Sequence, residues 1–195
     1  IDHVAQTMNY EEMLTWILFY RSIFVVEKSQ MVDVVDPSGL VRSQVIESAS
    51  GSLRLTLNGA ESHRTLAGTF IAETFGSSIQ HLAFATDDIF ASAQAMRANG
   101  LMSLDISPNY YEDLRARLGL DEAMIARMRE FNILYDRDAD GEFFQLYSGS
   151  VEAPFFFEIV QRNGAYRGYG ALNAPFRIAA QKRALTRRPA PATTL

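Results

Sequence analysis

The sequence predicts an α+β fold: two paired βαβββ modules that meet as an open, cupped barrel. Three observations predict it. "IDHVA" at residues 1–5 is echoed by "IQHLA" at residues 79–83, each reading Ile-x-His-aliphatic-Ala. Each copy precedes a segment of helical periodicity. Each helix is followed by several strand-like segments rather than one, which disfavours a purely parallel doubly wound sheet. The boundaries read as residues 1–62 for the first module and 77–162 for the second, the latter with a helical insertion at 109–130. Residues 163–186 read as a closing loop and helix, and 187–195 as a disordered tail.

In the first module, Asn9 with Glu12 three residues on resembles a capping box. Met13, Trp16, Ile17, Tyr20 and Phe24 recur at spacings of three and four, one apolar helix face. "SQMVDVVD", "VRSQVIES" and "SLRLTLN" then read as strands parted by Pro-Ser-Gly and Ser-Gly turn signals. In the last of them Leu53, Leu55 and Leu57 alternate with Arg54, Thr56 and Asn58, giving one apolar and one polar face.

In the second module, Asp88 is placed to cap the helix "IFASAQAMRANG" and Gly100 to end it. "NYYEDLRARLGLDEAMIARMREF" reads as two short helices broken near Gly119. "FNILYDRD", "EFFQLYSG" and "PFFFEIVQ" supply the strands. A last helix is expected near residues 174–185, ahead of the proline-rich, aperiodic "TRRPAPATTL".

The chain has 195 residues, 48% hydrophobic and 21% charged, a globular composition. It contains no cysteine, which excludes disulfides and thiolate metal sites and fits a reduced, cytoplasmic setting. A net charge of -5 disfavours a nucleic-acid partner. Apolar runs such as "TWILFY" and "APFFFEIV" fall short of the about 20 residues of a membrane span. Residue 1 is an isoleucine already in strand-like sequence, so the chain reads as the C-terminal part of a longer protein.

Of the three histidines, His3 and His81 occupy the equivalent position of the repeat, where paired modules would bring them to a shared centre. His63, in "AESHRT", has no repeat partner and reads as a loop residue. Glu158 sits among Phe155, Phe156, Phe157, Ile159 and Val160. A carboxylate in such a strand is costly unless paired or metal-bound. The bland alternatives are a Glu158 facing solvent on an edge, or one paired with Arg162. Two imidazoles and a carboxylate match the facial triad of non-haem Fe(II) enzymes, with positions left for a chelating 2-oxo acid and dioxygen. Zn(II), Mn(II) or Mg(II) would suit the same ligands.

The blocks "IDHVA", "SSIQHLAFATDDIF", "NYYEDL", "FFQLYS", "FFFEIVQR" and "GYGALNAPF" together resemble the C-terminal, catalytic half of 4-hydroxyphenylpyruvate dioxygenases, from Ile1 to about Arg183. That resemblance implies the vicinal-oxygen-chelate fold, an Fe(II) centre on His3, His81 and Glu158, and an aromatic 2-oxo acid as substrate. It implies that Gln145 and Asn173 act near the metal and keto acid. It also implies that Ser43, Asn58, Gln80, Tyr147 and Phe176 meet the substrate, with Phe143 a further wall candidate. The last helix resembles the family's gate. The pattern departs at Ala174 and Tyr147, where the family carries phenylalanines, and at Leu66, where it carries glutamine. Loss of the aromatic clamp at Ala174 is expected to enlarge the pocket.

A second resemblance is to bacterial two-domain proteins whose N-terminal half is a sugar-isomerase-type barrel acting as 3-dehydroshikimate dehydratase. It implies a preceding N-terminal domain, self-association into a homo-oligomer, and a domain that is either catalytic in its own right or a metal-binding structural partner of the barrel. Another chemistry of the same fold, such as extradiol cleavage or a glyoxalase-type isomerisation, is the third alternative.

Overall fold

A computed structural model of the chain describes residues 1–149 and 155–186; the tail expected at 187–195 lies outside the described residues. The strands are β1 (His3–Asn9), β2 (Glu27–Lys28), β3 (Val32–Asp36), β4 (Gly39–Glu47), β5 (Arg54–Ala60), β6 (Ser78–Ala85), β7 (Leu134–Arg137), β8 (Gly141–Tyr147) and β9 (Phe156–Gly164). They form one sheet in the order β2-β4-β5-β1-β6-β9-β8-β7, with β3 beside β4, curled into an open half-barrel. At its centre β1 and β6, the two repeated segments, pair antiparallel. Each is flanked by a parallel partner, β5 beside β1 and β9 beside β6. The echo in sequence is thus a pseudo-symmetric seam.

Among the described residues six α-helices accompany the sheet: α1 (Met13–Ile23), α2 (Leu66–Glu73), α3 (Ile89–Ala98), α4 (Pro108–Leu118), α5 (Glu122–Phe131) and α6 (Ala174–Thr186). The insertion forms α4 and α5, parted by Gly119 in the left-handed region at φ 61°, as its sequence predicts. Asp88 caps α3 by accepting from the backbone N–H groups of Phe90 and Ala91. Its helices pack with β7 and β8 into one core around Tyr110, Tyr111, Leu114, Met128 and Phe144.

Three expectations are corrected. Asn9 and Glu12 form no capping box: the Asn9 amide donates to the Glu12 carboxylate at 2.7 Å, and a single tight turn, Tyr10–Glu12, precedes α1. Glu12 is held there by the Ser77 hydroxyl, a partner 65 residues away. Phe24 is not on the buried face of α1; it follows the helix in extended backbone and is exposed, leaving Met13 and Ile17 as the buried pair. The segment between the modules, given no element from sequence, forms α2, whose cap Thr65 accepts from the Gly68 N–H.

α6 crosses the open side of the half-barrel and is tied down by a buried carboxylate. Asp36, at the end of β3, accepts from Lys182 Nζ at 2.5 Å, from the Ser38 N–H at 2.8 Å and from the Leu66 N–H at 3.0 Å. Burial disfavours the charged form of Asp36, but these three donors outweigh it and lower its pKa. A carboxylate whose folded pKa is lowered stabilises above its unfolded pKa and loses that contribution as pH falls through the folded value. Amide exchange in α6, corrected for intrinsic rates, is therefore expected to accelerate below about pH 4. In Asp36→Asn it is expected to be faster already at neutral pH and to lack the acid step. A wild-type profile without that step would separate α6 docking from this carboxylate.

Candidate metal centre

Strand register brings His3, His81 and Glu158 together. His3 pairs with Ala83, and Ala83 pairs across to Glu158, so these three side chains share one face of three adjacent strands. His81 lies two residues from Ala83 on β6 and therefore points the same way. One potential ligand atom from each of His3, His81 and Glu158 lies within 4.8 Å of the others. Both imidazole Nε2 atoms stand 3.3 Å from Glu158 Oε2. Nitrogen and oxygen ligands about 2 Å from a common ion stand about 3 Å apart, so this buried, thiolate-free set fits a divalent metal.

The two histidines are not equivalent. His3 Nδ1 lies 2.8 Å from Asp2 Oδ1, so Asp2 accepts its hydrogen and orients the ring. Burial disfavours imidazolium at His3, yet Glu158 and Asp2 on either side hold its pKa up at about 9. His81 Nδ1 has no partner among the described residues, and its ring stacks on Phe156 at 4.7 Å between centroids. Burial pushes His81 down to about 4 despite Glu158. For Glu158 burial raises the pKa, but the two histidines outweigh it and hold it well below the usual carboxylate range.

The expectation that Glu158 pairs with Arg162, or faces solvent, is not met. Glu158 is 1% exposed. Arg162 turns instead to Asp2, with Nε 2.8 Å from Oδ2 and Nη2 3.0 Å from Oδ1. The order of support is therefore Arg162 to Asp2 to His3. The sequence reading missed Asp2 and gave Arg162 a different partner, although an aspartate directly before a candidate ligand histidine is the kind of signal that finds such a residue. Tyr169, also missed, meets the His3 ring edge-on at 5.2 Å.

Ser43, Asn58, Gln80 and Tyr147 line the cavity that opens onto His3, His81 and Glu158. The two residues expected to be catalytic, Gln145 and Asn173, lie behind Glu158. Gln145 Nε2 donates to Glu158 Oε1 at 2.9 Å and to the Tyr147 hydroxyl at 2.8 Å. Asn173 Nδ2 donates to Gln145 Oε1 at 2.7 Å, and Tyr110 donates to Asn173 Oδ1 at 3.0 Å. This relay leaves the second Glu158 oxygen directed at the histidines. Gly170, at φ 58°, lets the loop pass Gln145: a Cβ there would sit 2.1 Å from its Oε1.

Phe176 and Phe143 do not line the cavity. Phe176 packs edge-on against Tyr110 at 4.9 Å, and Phe143 stacks on Tyr166 at 5.1 Å. His63 is exposed in a turn, as expected. Ala174 lines the cavity, which measures about 100 Å³, and Arg177, one turn along α6, lies over the rings of Tyr147 and Phe156.

The family model of the Glyoxalase/Bleomycin resistance protein/Dioxygenase superfamily matches residues 1–146. The chain is 41% identical over 185 residues to a 3-dehydroshikimate dehydratase of Pseudomonas putida, covering 94% of this chain and 29% of that protein. It is 30% identical over 175 residues to a 4-hydroxyphenylpyruvate dioxygenase of Pseudomonas aeruginosa, covering 89% of this chain and 49% of that protein. Among solved structures, a fusion of a xylose isomerase-like TIM barrel with a 4-hydroxyphenylpyruvate dioxygenase superposes with a TM-score of 0.78 at 41% identity, over 94% of this chain and 29% of that one. The chain thus spans between about a third and a half of the length of these relatives.

Proposed function

Because the chain belongs to the glyoxalase/bleomycin resistance protein/dioxygenase superfamily, we propose that it is a divalent-metal domain acting on a 2-oxo acid, and in particular an Fe(II)-dependent dioxygenase that oxidatively decarboxylates an aryl-2-oxo acid. The observation that carries this reading is the buried set His3, His81 and Glu158 on one concave face. When bound, Fe(II) supplies the redox chemistry with dioxygen. The chain's own residues do the rest. Asp2 and Arg162 orient His3, and Gln145 with Asn173 orients Glu158. Ser43, Asn58 and Gln80 offer polar groups to the substrate, and α6 keeps water from the cavity. Ala174, Arg177 and Ile178 of α6 line the cavity, so outward movement of α6 would admit a larger aryl substrate, which is the gating role proposed for this helix.

The second reading is a metal-binding, non-dioxygenase C-terminal part of a 3-dehydroshikimate dehydratase. The 41% identity to the Pseudomonas putida protein favours it. A preceding domain belongs to both readings, as does a cytoplasmic setting. Self-association is supported by the apolar side chains Leu14, Leu18, Phe19 and Ile23 that α1 exposes. Among the described residues no helix is long and apolar enough to cross a membrane.

Oxygen uptake by the Fe(II)-loaded protein with 4-hydroxyphenylpyruvate separates the two. The first reading expects uptake matched by carbon dioxide release and lost in His81→Ala. Bound metal without uptake, together with dehydration of 3-dehydroshikimate by the protein, would transfer the assignment to the second.

A further inference from the structure

We propose that Arg177 is the specificity-determining residue of this cavity, selecting a ligand that carries a second carboxylate at the end away from the three metal-ligating side chains. The proposal rests on the 2-oxo acid reading above and names its substrate class: an oxo diacid rather than an oxo acid with a neutral tail.

Ala174, Arg177 and Ile178 recur at helical spacing on α6 and face the cavity together. Among the described cavity-lining residues, Arg177 is the one arginine or lysine. The other basic groups nearby have counter-ions: Arg162 is bound to Asp2, and Lys182 to Asp36. Arg177 has none among the described residues. Its one hydrogen bond there runs from Nη1 to Gln181 Oε1 at 2.7 Å. A guanidinium has five N–H donors in a planar fork that fits a carboxylate, so most of this fork has no partner among the described residues.

Its position joins it to the centre. The guanidinium carbon lies 5.6 Å from the Tyr147 ring and 5.4 Å from the Phe156 ring. Phe156 in turn stacks on His81. The cavity therefore presents a metal-ligand set together with a cation that has no counter-ion among the described residues. The two acids that line it are otherwise engaged, Asp36 by Lys182, and Glu158 by Gln145 and the two histidines. A ligand with a neutral tail would strip water from the guanidinium and return no acceptor, an unfavourable exchange. A terminal carboxylate returns two.

Two matched pairs of ligands test this by calorimetry on the metal-loaded protein, without turnover and without oxygen. 2-Oxoglutarate and 2-oxopentanoate share chain length and chelating head and differ in the terminal carboxylate. 4-Carboxyphenylpyruvate and 4-methylphenylpyruvate do the same on an aromatic frame. In at least one pair the diacid is expected to bind at least tenfold more tightly. Arg177→Leu should erase that preference by weakening the diacid about tenfold, with the monoacid bound no more weakly than in wild type. Arg177→Lys, which keeps the charge but loses the fork, should retain part of it and guards against a folding defect in the leucine variant. Equal binding within every pair that binds, or a preference that survives Arg177→Leu, would overturn the proposal alone. Failure of all four ligands to bind would overturn it together with the 2-oxo acid reading.

Discussion

Glu158→Ala is expected to abolish tight divalent-metal binding, taking stoichiometry measured at micromolar ion from about one per chain to near zero. Glu158 is the anionic member of the three, and without it two imidazoles face each other, 5.6 Å apart between ring centroids, with no carboxylate to balance an ion. Loss of a residue that only orients a ligand typically costs about 10–100-fold in metal affinity, so loss of a ligand should cost more. Gln145→Ala, which removes the donor to Glu158 Oε1 but keeps all three candidate ligands, should fall within the smaller range. The pH dependence has a defined sign. His3, held up at about 9 by Glu158 and Asp2 against the effect of burial, must give up a proton to bind an ion. Affinity in wild type should therefore rise with pH through the neutral range, with proton release visible when calorimetry is repeated in buffers of different ionisation enthalpy. Unchanged metal content in Glu158→Ala would remove the carboxylate from the site.

Arg162→Ala is expected to be the most destabilising single change near the site, by up to about 3 kcal/mol, because it strips the buried Asp2 carboxylate of its two-point partner and leaves it His3 and, at 3.5 Å, Arg54. Asp2 is 4% exposed at the side chain, and Arg162 meets it through two nitrogens. The same guanidinium donates to the Gly168 carbonyl at 2.6 Å and lies over Phe143 at 4.5 Å, so it also fastens the loop that leads to α6. Urea unfolding of Arg162→Ala should show the loss in midpoint with little change in slope. Arg162→Lys should recover only part, since an ammonium cannot make the two-point contact. If Arg162→Ala unfolded within about 1 kcal/mol of wild type, in the range usual for exposed pairs, the Asp2 carboxylate would not depend on this partner. Metal affinity measured on the folded fraction of Arg162→Ala should fall as well, because Asp2 would no longer be held against His3.

Much of the site was legible because strands report their faces locally. The alternation of side chains means that a histidine at the same place in two repeated strands faces the same way when those strands pair, and β1 and β6 do pair. Glu158 stood out because a carboxylate in a run of phenylalanines needs a reason to be there. Helix ends such as Asp88 and Gly119 were legible for a similar reason: caps and breaks depend on a few adjacent residues. Other features were not. Asn9 and Glu12 have the spacing of a capping box, but Ser77 claims the carboxylate from across the fold. Phe176 has the right type for a substrate wall, but the turn on which it sits directs it at Tyr110.

By itself, then, the sequence determined the pairing of two βαβββ modules, the helical insertion between β6 and β7, the closing helix, and which three side chains converge. Each of these follows from periodicity, from a repeat, or from the cost of burying charge. Only the tertiary structure decided which polar group answers which: Arg162 to Asp2 across 160 positions, Lys182 to Asp36 across 146, and Gln145 with Asn173 behind Glu158 rather than in the cavity. It also decided that Arg177 lines the cavity without a counter-ion among the described residues. The physical reason is that charged and amide groups bind whichever partner packing brings within about 3 Å, and that distance depends on how α6 and the loop before it settle on the sheet rather than on any local pattern.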